Sequence, residues 1–314
     1  METFDLLIIG AGCAGASGAM YAARMNLKTV ILGEMPGGLI TTTHLVENWP
    51  GIISISGPDL AQNLLDHAKA FGVENRGEKV LEIEKVKLTN EDSTVGISAG
   101  FKVKTSSKEY MAKAVLIATG SEHKHMGIPG EENLTNKGVS YCALCDGAFY
   151  KGKEVVVVGG GDSAAKEALL LSEFCPKVYV VCRSTFRPEP INADRVKNNP
   201  KIEVILQNQP VEVLGENSVT GLKLKDERVL DVKGVFVAIG HLPLSELALH
   251  VGVELNEKNE IMINRRSETN IPGIFAAGDV CDTQFKQAIT GSAEAVTAAY
   301  FAFEYLNKTQ ISWG

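Results

Sequence analysis

A chain of 314 residues that is 45% hydrophobic and 22% charged has the apolar content of an ordinary globular protein and the length for two domains, which excludes a disordered reading. A formal charge of −7, with Lys and Arg scattered along the chain, speaks against non-specific nucleic-acid binding, which needs basic patches. No run approaches the roughly 20 apolar residues of a membrane span; Met1-Glu2-Thr3-Phe4-Asp5 lacks the basic start of a signal peptide, so the cytoplasm is the expected location.

In chain order, a buried-strand pattern at 4–9 runs into Gly10-Ala11-Gly12-Cys13-Ala14-Gly15. A small-residue helix over 16–25 and a strand over 28–32 complete a βαβ unit. A Gly/Pro/Thr-rich stretch, 33–57, precedes a helix near 59–71. The alternating segments of 78–111 predict an antiparallel meander with turns at Asn90-Glu91-Asp92 and Ser106-Ser107. A further strand at 114–118 ends in Thr119-Gly120. A second βαβ unit follows: strand 154–158, Gly159-Gly160-Gly161-Asp162-Ser163-Ala164, a helix to about Cys175, and strand 177–181. It is the one internal repeat visible. Near the end, Gly273-Ile274-Phe275-Ala276-Ala277-Gly278-Asp279 leads to a long helix from about Lys286. The expected fold class is α/β: two Rossmann-like dinucleotide-binding domains in three layers, with an antiparallel meander, the second inserted into the first. The outer domain is expected at 1–117 and 246–314, the inner at 118–245.

Gly10-x-Gly12-x-x-Gly15 sits between strand and helix, where glycines permit a tight turn and let the backbone touch a pyrophosphate at the helix N-terminus. Glu34, nineteen residues beyond Gly15, stands where a carboxylate bonds a ribose hydroxyl. The loop alone does not separate FAD from NAD. Gly159-x-Gly161-x-x-Ala164 repeats the pattern with an accepted Ala. No acid ends its next strand, which reads Val181-Cys182-Arg183-Ser184-Thr185-Phe186-Arg187. Arg183 and Arg187 are either a clamp for a 2′-phosphate, favouring NADPH over NADH, or two surface arginines.

Cys142-Ala143-Leu144-Cys145-Asp146 is the chemical centre. Two thiols at this spacing close a small disulfide ring and lower the pKa of one thiol for exchange. A zinc site would need a second ligand pair, and no suitably spaced one exists; no metal is expected. Asp146 is either a proton relay for the thiols or a cap on the following turn. Cys13, Cys175, Cys182 and Cys281 read as packing residues.

Gly10–Gly15, Gly37-Gly38 with Thr41-Thr42-Thr43, Val46-Glu47-Asn48-Trp49-Pro50-Gly51, the CxxCD, Gly159–Ala164, Gly278-Asp279 and Gln287-Ala288-Ile289-Thr290 together resemble the low-molecular-weight thioredoxin reductases, in the family's order and over the whole chain. The resemblance implies an FAD domain made from both chain ends, an inserted pyridine-nucleotide domain carrying the redox pair, a homodimer, and a thioredoxin-like protein as partner. FAD would be held by Gly10, Gly12, Cys13, Ala14, Gly15, Gly33, Glu34, Gly38 and Leu39, and by Asn48, Gly120, Gly278, Asp279, Gln287, Ala288 and Ile289. Asp279 would reach the ribityl or pyrophosphate region, and the helix from Gln287 would direct its positive end at the flavin ring. Gly161, Asp162, Ser163, Arg183 and Arg187 would face the nicotinamide nucleotide. By the same resemblance one domain swings against the other, Cys145 is the sulfur nearer the flavin, Cys142 attacks the partner disulfide, and Asp146 is the acid/base.

Three departures stand out. Leu39 replaces the usual Gln after the Gly pair, removing a polar flavin contact. His44 stands where Thr is usual. The NADPH signature His-Arg-Arg, followed three residues later by Arg, here reads Val181-Cys182-Arg183 before Arg187, which weakens charge on a 2′-phosphate and opens the donor to NADPH, NADH, reduced ferredoxin or another carrier. The expected activity is thioredoxin-disulfide reduction through FAD. An FAD-dependent dithiol oxidase or a ferredoxin-linked variant is the alternative, with a non-catalytic flavin redox carrier last.

Overall fold

The computed structural model describes residues 1–43, 46–88 and 99–307. His44 and the expected turn at Asn90-Glu91-Asp92 lie outside the described residues. The chain folds into two compact units, Met1–Glu122 with Leu242–Gly314, and His123–His241. The second is thus an insertion in the first.

In the first unit, the apolar run of Glu2–Ile9 forms the strand at the middle of the sheet. It pairs in parallel with Thr29–Leu32 on one side and Glu109–Ile117 on the other. Leu6, Leu7 and Ile8 are wholly buried, as a parallel strand covered on both faces requires. Glu74–Arg76 extends the sheet beyond Thr29–Leu32. Val80–Lys87 and Ala99–Thr105 form the antiparallel meander and join the sheet at Glu109–Ile117.

Glu109–Ile117 is one nine-residue strand, not a meander strand ending at Met111 and a separate strand from Ala114. The apparent break at Lys113 is a charge held within the sheet: its Nζ meets Asp5 Oδ1 of the neighbouring strand at 2.9 Å. The first half of this strand pairs with the meander and the last three residues with Ile274–Ala276.

Helices Cys13–Arg24 and Ala288–Asn307 lie on one face and pack through small residues, Ala19 and Ala22 against Ala295, Ala298, Ala299 and Ala302. The approach is close enough that a Cβ on Gly18 would stand 3.1 Å from the carbonyl oxygen of Ala295. Phe4, Val103, Tyr110 and Ile261 fill the core on the other face.

The second unit has a parallel five-stranded sheet in the order Ile202–Ile205, Val178–Val181, Val155–Val158, Gly234–Val237, Val139–Ser140. Its central strand is four consecutive valines, all buried; β-branched side chains suit such a strand. Helix Asp162–Phe174 covers one face. A three-stranded antiparallel sheet, Pro210–Leu214, Gly221–Leu224 and Val229–Leu230, joins the core on the other. Both units therefore present a strand–glycine loop–helix device at the start of a parallel sheet. No helix among the described residues is long and apolar enough to cross a membrane.

Candidate functional site

Cys142 and Cys145 are joined in a disulfide, their Cα atoms 5.3 Å apart. The strand Val139–Ser140 delivers the chain to Cys142, which starts the single turn Ala143–Asp146. The backbone N–H groups of Cys145 and Asp146 donate to the Cys142 carbonyl at 3.2 and 3.1 Å, and the Cys145 N–H also approaches Cys142 Sγ at 3.2 Å. Once the disulfide opens, that N–H stabilises negative charge on Cys142, which favours the thiolate.

The turn is seated on Ala143, which is buried, and on Gly147, where a Cβ would stand 3.1 Å from Leu171 of helix Asp162–Phe174. Leu144, between the two cysteines, is exposed and the cysteines are half-buried. The sulfur pair is therefore rigidly backed and open to a partner.

Asp146 faces inward along the same turn. Ser140 Oγ donates to Asp146 Oδ2 at 2.6 Å and accepts the Cys142 N–H at 3.1 Å. Tyr141, between Ser140 and Cys142, is anchored elsewhere in the unit. Its hydroxyl donates to Glu131 Oε1 at 2.9 Å and lies 2.8 Å from His125 Nδ1, while its ring stacks on His123 at 4.9 Å. Burial, reinforced by the Glu131 carboxylate, pushes the Tyr141 phenol well up. Burial also pushes His123 down to about 4, aided by His241 and His125, so these stacked rings are neutral at pH 7.

Glu167 was not legible as a special residue. Packing half-buries it, encloses its Oε2 without a hydrogen-bond partner, and pushes its carboxyl up to about 7 by desolvation. Lys166-Glu167 in sequence looks like a solvated helix face, and no local signal distinguishes it.

In the first unit, Gly33, Gly37, Gly38 and Gly278 lie against the first glycine loop. Gly10 has φ +114°, and a Cβ there would overlap the Ala118 carbonyl; a Cβ on Gly15 would fall 1.9 Å from the Gly10 carbonyl oxygen. Only glycine fits either position. Gly37 and Gly38 are brought alongside, with a backbone bridge from Gly12 to Gly37, and Gly33 packs against Ala11. Gly278 approaches Ala14, and Ser292 Oγ donates to the Cys13 carbonyl at 3.2 Å.

Asn48 Nδ2 donates to Gln287 Oε1 at 3.0 Å, just ahead of helix Ala288–Asn307. Lys286 Nζ donates to the Asp279 carbonyl at 2.8 Å. Gly120, with φ +72°, accepts from the Leu244 N–H at 3.0 Å. Glu34 and Leu39 are exposed, and Glu34 lies 3.7 Å from Lys79 Nζ. Helix Cys13–Arg24 starts at Gly12 with no side-chain cap and no acidic residue in its first turn. Its free N–H groups and positive dipole end suit a diphosphate, so the residues present fit FAD.

The second loop has the same backbone but other surroundings. Helix Asp162–Phe174 also starts without a side-chain cap, yet carries Asp162 in its first turn. That carboxylate accepts from the Glu189 N–H at 2.9 Å, Asn192 Nδ2 at 2.8 Å and Lys166 Nζ at 2.7 Å. These contacts, Lys166 foremost, pull it down to about 2, so it is charged at neutral pH. The Arg187 N–H donates to the Gly160 carbonyl at 2.7 Å, drawing residues 183–187 over the middle glycine. The Arg183 and Arg187 side chains stay exposed. Cys182 points inward and donates its thiol to the Gly159 carbonyl at 3.2 Å.

Burial, the leading cause in each case, pushes Cys13 up to about 12, Cys175 and Cys182 up to about 11, and Cys281 well above the usual thiol range. None is a nucleophile near neutrality. Among the described residues no cluster of three or more His, Cys, Asp or Glu is placed to hold a metal ion.

The profile of the pyridine nucleotide-disulphide oxidoreductases matches residues 4–295. The chain is 41% identical to a thioredoxin reductase of Bacillus subtilis over 98% of its own length and 96% of that protein. The crystal structure of thioredoxin reductase from Streptococcus pyogenes superposes with a TM-score of 0.88 at 36% identity, covering 98% of this chain and 99% of that one. A ferredoxin-flavin thioredoxin reductase from Clostridium acetobutylicum superposes at 0.53 with 31% identity, covering 98% and 100%.

Proposed function

The chain belongs to the pyridine nucleotide-disulphide oxidoreductase family, and from that premise we propose that it is a thioredoxin-disulfide reductase working through FAD and the Cys142–Cys145 pair. The observation that carries the reading is the disulfide itself, held on a backed and accessible turn with Asp146 behind it. FAD, when bound, supplies the two electrons that open this disulfide. The FAD set is the first glycine loop with Gly33, Glu34, Gly38, Leu39, Asn48, Gly120, Gly278, Asp279 and Gln287–Ile289. The bare helix start at Gly12 takes the diphosphate, and the N-terminal end of Ala288–Asn307 faces the flavin.

The exchange needs only this chain's sulfurs and one proton carrier. The Cys142 thiolate attacks the partner disulfide, forming a mixed disulfide and releasing one partner thiolate. Cys145 then attacks the Cys142 sulfur, closing the intramolecular disulfide and releasing the second partner sulfur. Two protons pass to the partner in each cycle, and in this reading Asp146 carries them.

The electron donor is a nicotinamide nucleotide at Gly161, Asp162, Ser163, Arg183 and Arg187, or reduced ferredoxin. One observation weakens NADPH against NADH and ferredoxin alike: Cys182 turns inward and Val181 is apolar, so two of the signature positions offer no charge to a 2′-phosphate, leaving Arg183 and Arg187. The working form is a cytoplasmic homodimer.

The test is anaerobic reduction of thioredoxin by the yellow holoprotein with NADPH, NADH and reduced ferredoxin in parallel. One donor should sustain turnover, and Cys142→Ser and Cys145→Ser should each lose about a thousandfold or more. Full turnover with both sulfurs replaced, or a polypeptide that stays colourless after reconstitution with FAD, would refute the reading.

A further inference from the structure

Ser140 is the last residue of the strand Val139–Ser140, is 4% exposed, and sits in register opposite Phe236 of the neighbouring strand. Its hydroxyl has one proton and two acceptors in range: Asp146 Oδ2 at 2.6 Å and the Cys142 carbonyl at 3.4 Å. The proton belongs to the shorter, charge-assisted bond, since O–H···O⁻ contacts of about 2.5–2.7 Å are the strong ones. The same oxygen accepts the Cys142 N–H at 3.1 Å. One buried hydroxyl therefore ties the Asp146 carboxylate to the backbone of Cys142, and its own position is set by the sheet.

We propose that Ser140 is a positioning residue for disulfide exchange, holding the Asp146 carboxylate in register with Cys142 in both the oxidised and reduced states. The inference rests on the proposed reductase activity. Its physical basis is the change that reduction makes to the turn. Opening the disulfide removes the covalent closure between Cys142 and Cys145 and leaves the four-residue turn Ala143–Asp146 held by the backbone bonds of Cys145 and Asp146 to the Cys142 carbonyl. Those backbone bonds fix the turn but not the direction of the Asp146 side chain, which without a further bond can rotate away. The hydrogen bond to Ser140 does not depend on the disulfide, because Ser140 is on the sheet, so the proton carrier stays placed when the thiols appear. Tyr150, half-buried, also faces Asp146; burial, and then the Asp146 charge, push its phenol up to about 12. It stays protonated and does not compete as a proton acceptor at neutral pH.

The experiment is a double-mutant cycle in the holoenzyme, read as steady-state reduction of thioredoxin with whichever donor sustains turnover. Ser140→Ala should lower kcat about tenfold with the KM for thioredoxin changed by less than about twofold, the loss expected from a misplaced proton carrier. In an Asp146→Asn background the same substitution should cost less than about twofold, because there is no carboxylate left to position. Ser140→Thr keeps the hydroxyl and should stay within about threefold of wild type; it also carries the test should Ser140→Ala fail to fold. Equal losses in both backgrounds, a full-rate Ser140→Ala enzyme, or a Ser140→Thr loss as large as that of Ser140→Ala would overturn the proposal. A full-rate Asp146→Asn enzyme would remove the proton-carrier role and Ser140's with it, whereas failure of the reductase reading shows separately, as activity that survives Cys142→Ser and Cys145→Ser.

Discussion

Counted from the first glycine of each loop, Gly10, Gly12 and Gly15 correspond to Gly159, Gly161 and Ala164, Cys13 to Asp162, and Gly18 to Glu167. The backbones agree: both loops open with a glycine at positive φ against the end of a neighbouring strand, and both helices start at a residue with no side-chain cap. The side chains of the first two turns do not. The first helix begins with an inert buried thiol and a bare positive end, then closes tightly on its neighbour at Gly18. The second begins with a fixed carboxylate and, one turn on, half-buries another whose Oε2 has no hydrogen-bond partner. A strand–loop–helix device is thus a backbone solution to approaching phosphate, while its ligand capacity is decided by a few side chains that the backbone leaves free.

The largest expected effect comes from making the first loop resemble the second. Gly15→Ala places a methyl group where the Gly10 carbonyl already stands and should cost about 3 kcal/mol or more, as overpacking against an immovable backbone does. The variant should purify with little or no flavin absorbance per polypeptide. The reverse change, Ala164→Gly, should cost only about 1 kcal/mol of helix propensity. Equal tolerance at both positions would break the comparison.

The second test is Glu167→Gln. Burial raises the folded-state pKa of Glu167 to about 7 from 4.5. Below the unfolded pKa both states are protonated and the group has no effect. As pH rises from there towards 7 the unfolded chain ionises first, so stability falls, and above 7 the loss is complete at about 3 kcal/mol. Glu167→Gln should remove that slope and be the more stable protein at pH 8, by about 1–3 kcal/mol. Thermal melts of both proteins from pH 5 to pH 8 would show it, and parallel curves would mean the carboxylate finds a partner in solution.

The smallest effect tests what Asp162 does to the second loop. Asp162→Asn keeps the oxygen that accepts from Glu189 and Asn192 but removes the charge at the helix start and frees Lys166. Nicotinamide nucleotides should bind about two- to fivefold more tightly, the scale of a charge at a helix terminus, as read by anaerobic titration with NADH and NADPH. Weaker binding would mean the carboxylate contacts the ligand directly.

How much could be read in advance varies with the range of the interaction. The two loops and the redox pair were visible because each is a short-range demand. Gly10 and Gly15 have no room for a Cβ, and a CxxC brings its sulfurs together across a single turn. The continuity of Glu109–Ile117 across Lys113 is not visible in sequence, where the alternation to 111 and the apolar run from 114 give two segments, because the charge is matched by Asp5, far off in sequence. Ser140 is only six residues from Asp146, yet nothing in its type or spacing marks the hydrogen bond, which depends on how strand and turn meet.

The amino-acid order by itself determined the α/β architecture, its insertion and the chemistry at Cys142 and Cys145, since glycine conformation, apolar runs and thiol spacing act within a few residues. The tertiary structure alone decided which carboxylates are charged, buried or aimed: Asp146 held by Ser140, Asp162 locked by three donors, Glu167 desolvated. Hydrogen-bond geometry and desolvation are properties of assembled elements, and a side chain's protonation state follows its surroundings.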